Sequence, residues 1–453
     1  MATIPEGTGA KKNARAVGRA SVVLAVLAAS VLTMLVASPA YARSPKLFVG
    51  PGPQGFDTSC SSPGFTSIQG AVNAARTGTT IVVCAGTYAE QVVIGTPNLT
   101  IVTQGSATLQ PTTATVNAAD TDTSQPIVAL ILVKPGAKNV KISGLTVDGS
   151  LIESSAVFGT CNNVGLAGVL YQAGAGGDVS GVLKGLKVEN FNPTNAGCGN
   201  GLGIFAQAGT SGSANDNLVI QNSKVSGYGK NGITCSDVGT VCRILRNTIT
   251  TSPTSLVAQN GVQMGFGAVG QILSNKVSGN DWTAYQTDTN PQRQSDYGAG
   301  ILLYGAGISN AGATSGNTTV NKNALQDNQI GVEVVDSDAA LTSNHITETS
   351  PGLPDSIGVY GVGCDAYCGY FNANNNQSLT NTAAMGQTVS LTNNRIDFVG
   401  DPAGSYGIWM GDDSWTGGGG YYGPAGSEAV HLVNNSTKNV DNKVVIGGGA
   451  TTS

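Results

Sequence analysis

The chain has 453 residues, 64 of them Gly, and is 40% hydrophobic, 11% charged and 6% aromatic. That apolar content is too high for a disordered chain, and the many Gly, Asn, Ser and Thr residues without long amphipathic runs exclude a helical bundle. A net charge of −5 with no basic run excludes nucleic acid and anionic lipid as partners.

Residues 1–42 read as an export signal. Lys11, Lys12, Arg15 and Arg19 make a basic start, Ala20 to Ala37 is an uncharged and largely apolar run, and Ala40-Tyr41-Ala42 fits a small-residue cleavage site. The run is also just long enough to be an uncleaved anchor, but the Ala-Tyr-Ala ending favours cleavage. Cleavage removes four basic residues and one acidic one, Glu6, which takes the net charge to −8. The expected organisation is a signal peptide at 1–42, an N-terminal cap with the first coil at 43–110, and repeats with inserted loops at 111–453.

In the cap, Ile68, Val72 and Ala75 are spaced i, i+4, i+7 behind Thr66 and Ser67. This predicts a short amphipathic helix from Ser67 to Arg76, ended by Gly78. Strands follow at Thr80–Val83, Gln91–Ile94 and Leu99–Ile101. A helix here would cover the open edge of a first coil.

Two templates repeat through the rest of the chain. The first, apolar-x-x-Asn-x-apolar, fits Ile244/Asn247/Ile249, Ile272/Asn275/Val277, Val320/Asn323/Leu325, Leu341/Asn344/Ile346 and Leu391/Asn394/Ile396. Leu432/Asn435/Thr437 is a weaker copy, and Leu145, Leu186 and Ser223 hold the Asn place earlier. The second template, Gly followed by an apolar residue, falls between copies of the first: Gly168-Val169, Gly203-Ile204, Gly232-Ile233, Gly261-Val262, Gly300-Ile301, Gly331-Val332, Gly358-Val359 and Gly407-Ile408. Asn323 to Asn344 spans 21 residues, which is too short for a βαβ unit, so two short strands per period make one turn of a coil. One coil cannot bury its apolar face alone, but stacked coils can. The chain therefore reads as all-β, a right-handed parallel β-helix in which longer periods carry inserted loops. The repeated Asn either hydrogen-bonds its counterpart on the next coil or serves turns because it tolerates the left-handed conformation. The fixed spacing to both apolar neighbours favours the ladder.

Eight cysteines remain after the signal, an even number that reads as disulfides in an exported chain. In a solenoid only residues of the same or adjacent coils are neighbours. This favours Cys60–Cys84, Cys235–Cys242 and Cys364–Cys368, with Cys161–Cys198 by remainder. Zinc at Cys364 and Cys368 would lack a second pair or a nearby His.

Phe65–Ala75 (FTSIQGAVNAA), Gly78–Tyr88 (GTTIVVCAGTY) and Asn98–Ile101 (NLTI) resemble the opening of right-handed parallel β-helix proteins of the pectin-lyase-like superfamily, and Asn139–Gly149 (NVKISGLTVDG) is similar to their first full coil. The resemblance implies that fold over the whole mature chain. It does not transfer a mechanism, because the superfamily includes lyases, hydrolases, epimerases and proteins without known catalysis, much of it acting on or binding polysaccharide. Polygalacturonase-like members add Gly-His-Gly and Arg-x-Lys to their aspartates. Here Asp412-Asp413 is present, but the only histidines are His345 and His431, and Arg395-Ile396-Asp397 has Asp where Lys belongs. Of the epimerase-like Asp-Pro-His-Asp, Asp401-Pro402-Ala403-Gly404 keeps the first half alone. Nothing matches the calcium-binding carboxylates of pectate-lyase-like members.

Strand alternation gives candidate site residues instead. If the apolar residue after each Gly points inward, the next points outward: Phe205, Thr234, Gln263, Leu302, Glu333, Tyr360 and Trp409. Tyr304 and Val335 lie two residues further on, with Asp336 and Asp412 beyond. Rings present flat faces to sugars and carboxylates accept hydrogen bonds from hydroxyls, although the same residues could pack on one another or beneath loops. Glu333 and Asp412 belong to coils two apart, on the order of 10 Å by the roughly 4.8 Å strand spacing, near the carboxylate separation of inverting glycosidases. Catalytic candidates are therefore Glu333, Asp336, Asp412 and Asp413, with Arg293 from an inserted loop. Against this, acidic residues at strand ends are commonly solvated surface. Candidate substrate contacts are Tyr304, Tyr360, Trp409, Trp415 and Trp282.

The expected function is that of a secreted or cell-surface protein that binds or processes polysaccharide along one face, as a monomer, as either a lyase or hydrolase or a binding module. The alternative is a non-catalytic structural or interaction protein with a protein partner. No cofactor is expected. Calcium would suit the carboxylates but has no motif.

Overall fold

The period from Asn323 to Asn344 resolves into three short strands, Thr318–Asn321, Ala324–Gln326 and Ile330–Val335, before Ala339–Thr342 begins the next coil. The sequence shows two apolar runs per period; the Asn turn bends the first run into two strands. Each strand pairs in parallel with its counterpart one coil on: Val320 with Leu341, Leu325 with Ile346, and Val332 with Val359. Repetition of this pattern builds three parallel ladders. The first runs from Lys46–Val49 to Ala450–Thr452, the second from Thr146–Asp148 to Ser436–Lys438, and the third from Val92–Ile94 to Asn442–Ile446. The computed structural model describes residues 46–452, apart from 122, 153–163, 193–200, 210–213, 252–256, 282–296, 308–315, 336, 350–355, 363–386, 400–403, 412–427 and 447–449. The expected export signal at residues 1–42 and the cysteines at 161, 198, 364 and 368 lie outside the described residues.

The interior is a set of aliphatic columns. Ile220, Ile244, Ile272, Val320, Leu341 and Leu391 stack in register along the first ladder, all fully buried. Val225, Ile249, Val277, Leu325, Ile346 and Ile396 do the same along the second. Because the coils share one continuous core, each coil depends on its neighbours for burial.

The asparagines form the ladder. Asn247, Asn275, Asn323 and Asn344 each donate from Nδ2 to the Oδ1 of the next asparagine at 2.9–3.0 Å, ending on Asn394, which donates to Asn435. The same Oδ1 also accepts the backbone N–H of the asparagine above, as Asn323 Oδ1 does from Asn275 N (2.9 Å). The left-handed residue of this turn is the one before: Arg246, Ser274, Lys322, Ser343 and Asn393 have φ of 54–56°. Tolerance of that conformation is therefore not what the ladder Asn supplies.

The glycines of the second template are demanded by close approach. A Cβ at Gly331 would stand 2.5 Å from the carbonyl oxygen of Gly358, and one at Gly358 would stand 2.5 Å from that of Gly407. The chain kinks at this glycine, so the residues on either side of the Gly-apolar pair face the same way. Asn231 and Thr234, which flank Gly232-Ile233, hydrogen-bond each other on the outer face of the ladder, where both are buried.

At the N-terminal end, helix Ile68–Ala74 is capped by the Ser67 hydroxyl, which accepts from Gly70 N (3.0 Å), and it buries Ile68, Ala71 and Val72. It is shorter than the sequence suggests, since Ser67 and Ala75 are its caps. The expected strands appear as Thr80–Tyr88, Val92–Ile94 and Thr100–Leu109. Cys60–Cys84 and Cys235–Cys242 are disulfides, with Cα separations of 5.5 and 6.5 Å. Among the described residues no helix is long and apolar enough to cross a membrane.

Candidate functional site

The outer face of the third ladder carries the candidate residues. Register places Leu170, Phe205, Thr234, Gln263, Leu302, Glu333, Tyr360 and Trp409 in one column, one per coil. Glu333 and Trp409 are thus two coils apart. The kink at each glycine adds a second outward column three residues earlier: Asn231, Asn260, Ala299, Ile330, Ile357 and Tyr406. A third, two residues later, contains Gly265, Tyr304 and Val335.

The covering of this face changes along the axis. Near the N-terminus Ile127, Ala129, Leu132, Ala167, Leu170 and Phe205 form a cluster outside the coil interior, with Ala118 packed against it. The segment that covers it is held by Asn117, whose amide donates to Ala129 O and accepts from Ala129 N, both at 2.9 Å, and by Gln172 Nε2, which donates to Ala119 O (2.7 Å). Phe205 is consequently 3% exposed. The middle coils are polar: Asn231 Nδ2 donates to Thr234 Oγ1 (3.0 Å) and Gln263 Oε1 (2.8 Å), and Asn260 Nδ2 donates to Asn231 Oδ1 (3.0 Å).

In the C-terminal coils the face is aromatic and half-exposed. Trp409 stacks on Tyr406 with centroids 4.7 Å apart and planes at 28°, and lies 5.3 Å from Tyr360. These rings, with Tyr297 and Leu302, rest on buried Ala299, Ile330 and Ile357. Glu333 is flanked in register by Leu302 and Tyr360, and Tyr304 packs edge-on against Phe266 at 5.6 Å. Glu333, Tyr304, Tyr360 and Trp409 therefore share one surface. Arg293, Asp336, Asp412, Asp413, Trp282 and Trp415 lie outside the described residues. The segments that contain them leave and rejoin the described strands at the two edges of the third ladder. The asparagine turn, by contrast, is two residues long on every coil from Leu245–Thr248 to Val433–Ser436.

A polar corner absent from the sequence reading borders this surface. Gln259, Gln329, Ser356 and Ser405 are buried just before four of the third-ladder strands. Beside them Asn280 Nδ2 donates to Asn328 Oδ1 (2.8 Å), and the buried Tyr228 hydroxyl donates to Asn280 Oδ1 (2.6 Å). Glu348, 1% exposed, joins this corner. Burial pushes its carboxyl up to about 7; the Ser356 hydroxyl partly relieves this, while Asp327 and Asp281 add to it. Neither Glu348 oxygen completes an aligned hydrogen bond. Asp281 is also pushed up by burial, to about 6. Among the described residues no group of three or more His, Cys, Asp or Glu side chains forms a metal site.

No family model matches the chain, and no curated protein does. Solved structures do. The GH136 lacto-N-biosidase of Eubacterium ramulus is similar over 90% of this chain and 67% of its own, with 10% identity and a TM-score of 0.51. The A-module of the Azotobacter vinelandii mannuronan C-5 epimerase AlgE4 is similar over 85% and 94%, with 14% identity and a TM-score of 0.47. The family 28 exopolygalacturonase of Yersinia enterocolitica is similar over 85% and 74%, with 13% identity and a TM-score of 0.48. At these identities the likeness concerns the fold alone, the right-handed parallel β-helix.

Proposed function

We propose that the chain is an exported protein that binds or processes polysaccharide along a groove on the outer face of the third ladder, in its C-terminal coils. The observation that carries this reading is the register of Glu333, Tyr360 and Trp409 on consecutive coils of one half-exposed surface, with Tyr406 stacked on Trp409. A flat array of rings beside a carboxylate suits an extended chain of sugars, whose C–H faces pack on rings and whose hydroxyls donate to carboxylates. Insertions at both edges of the ladder would wall such a groove. Export is supported by the features of residues 1–42 and by disulfides that persist in oxidising compartments. The neighbours of known structure, an epimerase of mannuronan and an exopolygalacturonase among them, show that this fold can carry polysaccharide chemistry.

In a catalytic version Glu333 and Asp412, two coils apart and so on the order of 10 Å from each other, act as the acid–base pair of an inverting hydrolysis. Asp336, Asp413 and Arg293 would be their neighbours, and Trp282 and Trp415 would extend the sugar contacts. The second reading is a non-catalytic surface protein with a protein partner. It is favoured by the way the rings pack on one another over an apolar floor.

The test is a panel of polysaccharides incubated with the purified protein, reading retention on insoluble glycan together with new reducing ends and unsaturated-uronate absorbance. Products that vanish in Glu333→Gln and Asp412→Asn establish the enzyme. Retention without products, lost in Tyr360→Ala and Trp409→Ala, establishes the binding module. Neither signal on any glycan would remove the polysaccharide reading and leave the protein partner.

A further inference from the structure

Two buried carboxylates stand together on the opposite side of the coil, where the third ladder turns into the first. Asp216 opens the strand Asp216–Gln221, and Leu218 and Ile220 alternate with it into the interior. In register it lies between Val179 on one coil and Thr240 on the next, so an acid occupies a place where an aliphatic residue precedes it. Asp237 sits in the tight turn from Ser236 to Thr240, which is closed by Thr240 N donating to Asp237 O (3.0 Å) and stapled by the Cys235–Cys242 disulfide. Asp216 N donates to Gly239 O (3.2 Å), which brings that turn against the Asp216 strand.

One stretch of backbone holds both side chains. Gln207 N donates to Asp216 Oδ2 (3.0 Å), and two residues later Gly209 N donates to Asp237 Oδ2 (2.8 Å). The Thr121 hydroxyl donates to the same Asp237 oxygen (2.8 Å). Donors of this kind favour an ionised carboxylate. Asp216 is fully buried, however, and its Oδ1 accepts no hydrogen bond. Asp237 stands close enough to repel its charge. An ionised, half-satisfied carboxylate cannot stay in such a place without a proton or a cation.

We propose that Asp216 and Asp237 hold a calcium ion that fastens this turn to the coil before it. The ligands at hand are oxygens: the two carboxylates and the backbone carbonyls of the Ser236–Thr240 turn. That set suits a hard cation and not zinc. A buried site leaves little room for the water shell that magnesium retains, whereas calcium accepts an irregular set of protein oxygens. The inference is independent of the polysaccharide reading, and its test reads metal and stability rather than glycan.

The probes are calcium chloride, EDTA and terbium(III), used on the intact protein. One calcium per chain should survive gel filtration into low-calcium buffer, as read by elemental mass spectrometry. Calcium at a hundredfold excess over its Kd should raise the melting temperature by about 3 °C relative to EDTA. Terbium should bind in calcium's place and emit by transfer from Tyr171, whose hydroxyl is pushed up by burial and then by the nearby Asp216. Calcium should quench that emission, and Tyr171→Phe should weaken it while leaving the metal bound. Asp216→Asn should abolish both bound calcium and the calcium-dependent shift. If it fails to fold, the wild-type pair of measurements decides alone. A wild-type protein that retains no calcium and melts identically in calcium and EDTA would overturn the site and leave a protonated Asp216. So would an Asp216→Asn protein that keeps both the metal and the shift.

Discussion

Phe205 and Trp409 occupy the same column of the same ladder, six coils of register apart, yet one is core and the other is surface. Phe205 is buried in a cluster with Leu170, Leu132 and Ile127, against which Ala118 of the segment fastened down by Asn117 and Gln172 also packs. Trp409 rests on Ile357 and Ile330 but keeps a face toward solvent beside Tyr360 and Tyr406. The solenoid itself does not decide between these fates, because the backbone pairing is the same in both places. Among the described residues, what differs is whether a non-repeating segment lies over the outer face. The first half of that face has been spent on stability, and the second half remains available for a ligand.

The largest effect should come from breaking the covered half. Phe205→Ala removes a ring from a sealed cluster and should cost about 3–5 kcal/mol in guanidinium unfolding. Glycan retention per folded molecule should stay unchanged. A loss below about 1 kcal/mol would mean that the covering segment is not closed in solution.

Next comes the acid at the edge of the open half. Glu348 titrates near 7 in the folded chain instead of 4.5, because burial disfavours its charge. A raised carboxyl contributes its stability fully below the unfolded value and loses it as pH rises through the folded one. Stability should therefore fall by roughly 3 kcal/mol between pH 4.5 and 7 from this group alone. Asp281, pushed up to about 6, adds to the fall in the same direction. Glu348→Gln should match the wild type at pH 4.5, exceed it at pH 8 and flatten the curve between. Parallel wild-type and variant curves would show that Glu348 finds a partner in solution.

Asn117→Ala tests the fastening itself. It removes two hydrogen bonds to Ala129 and should cost about 1–2 kcal/mol, with faster amide exchange confined to the strands around Ala118 and Ile127. Exchange that speeds up equally around Tyr360 would mean that the two halves of the face are not separable.

The sequence carries the repeated parts of this architecture and little else. Both templates are local spacings that recur, so the coil, the asparagine ladder and the column through Glu333, Tyr360 and Trp409 could be read without coordinates. Alternation alone puts Tyr406 and Trp409 on opposite faces, three residues apart. The kink at Gly407 brings them together, and that kink reflects how close the glycine comes to the next coil. Burial of Phe205 beneath a loop was open from the sequence, but its cover could not be placed because it occurs once and has no period. Gln259, Gln329, Ser356 and Ser405 form a column in space, but insertions of unequal length separate them in sequence. Asp216 and Glu348 look like surface carboxylates until the register turns them inward. Of the paired cysteines, Cys60–Cys84 and Cys235–Cys242 were readable because a solenoid brings together only residues of the same or adjacent coils.

The smallest effect on folding should come from truncating the open half, and there the comparison is sharpest. Trp409→Ala exposes the edge of Tyr406 and part of the floor at Ile357, but the ring already borders solvent, so the loss should stay under about 1 kcal/mol. Its effect on glycan should run the other way. Losing one of the stacked rings should weaken retention about tenfold, or 1.4 kcal/mol. Trp409→Phe should restore most of the binding, since a flat face is what a sugar ring packs against. Phe205→Ala and Trp409→Ala thus predict opposite pairs of numbers, a large stability loss with intact retention against a small stability loss with weak retention. If Trp409→Ala instead unfolds the protein as severely as Phe205→Ala while the remaining folded molecules bind glycan normally, the aromatic cluster is a second sealed core. The open half would then offer no more surface for a ligand than the covered one.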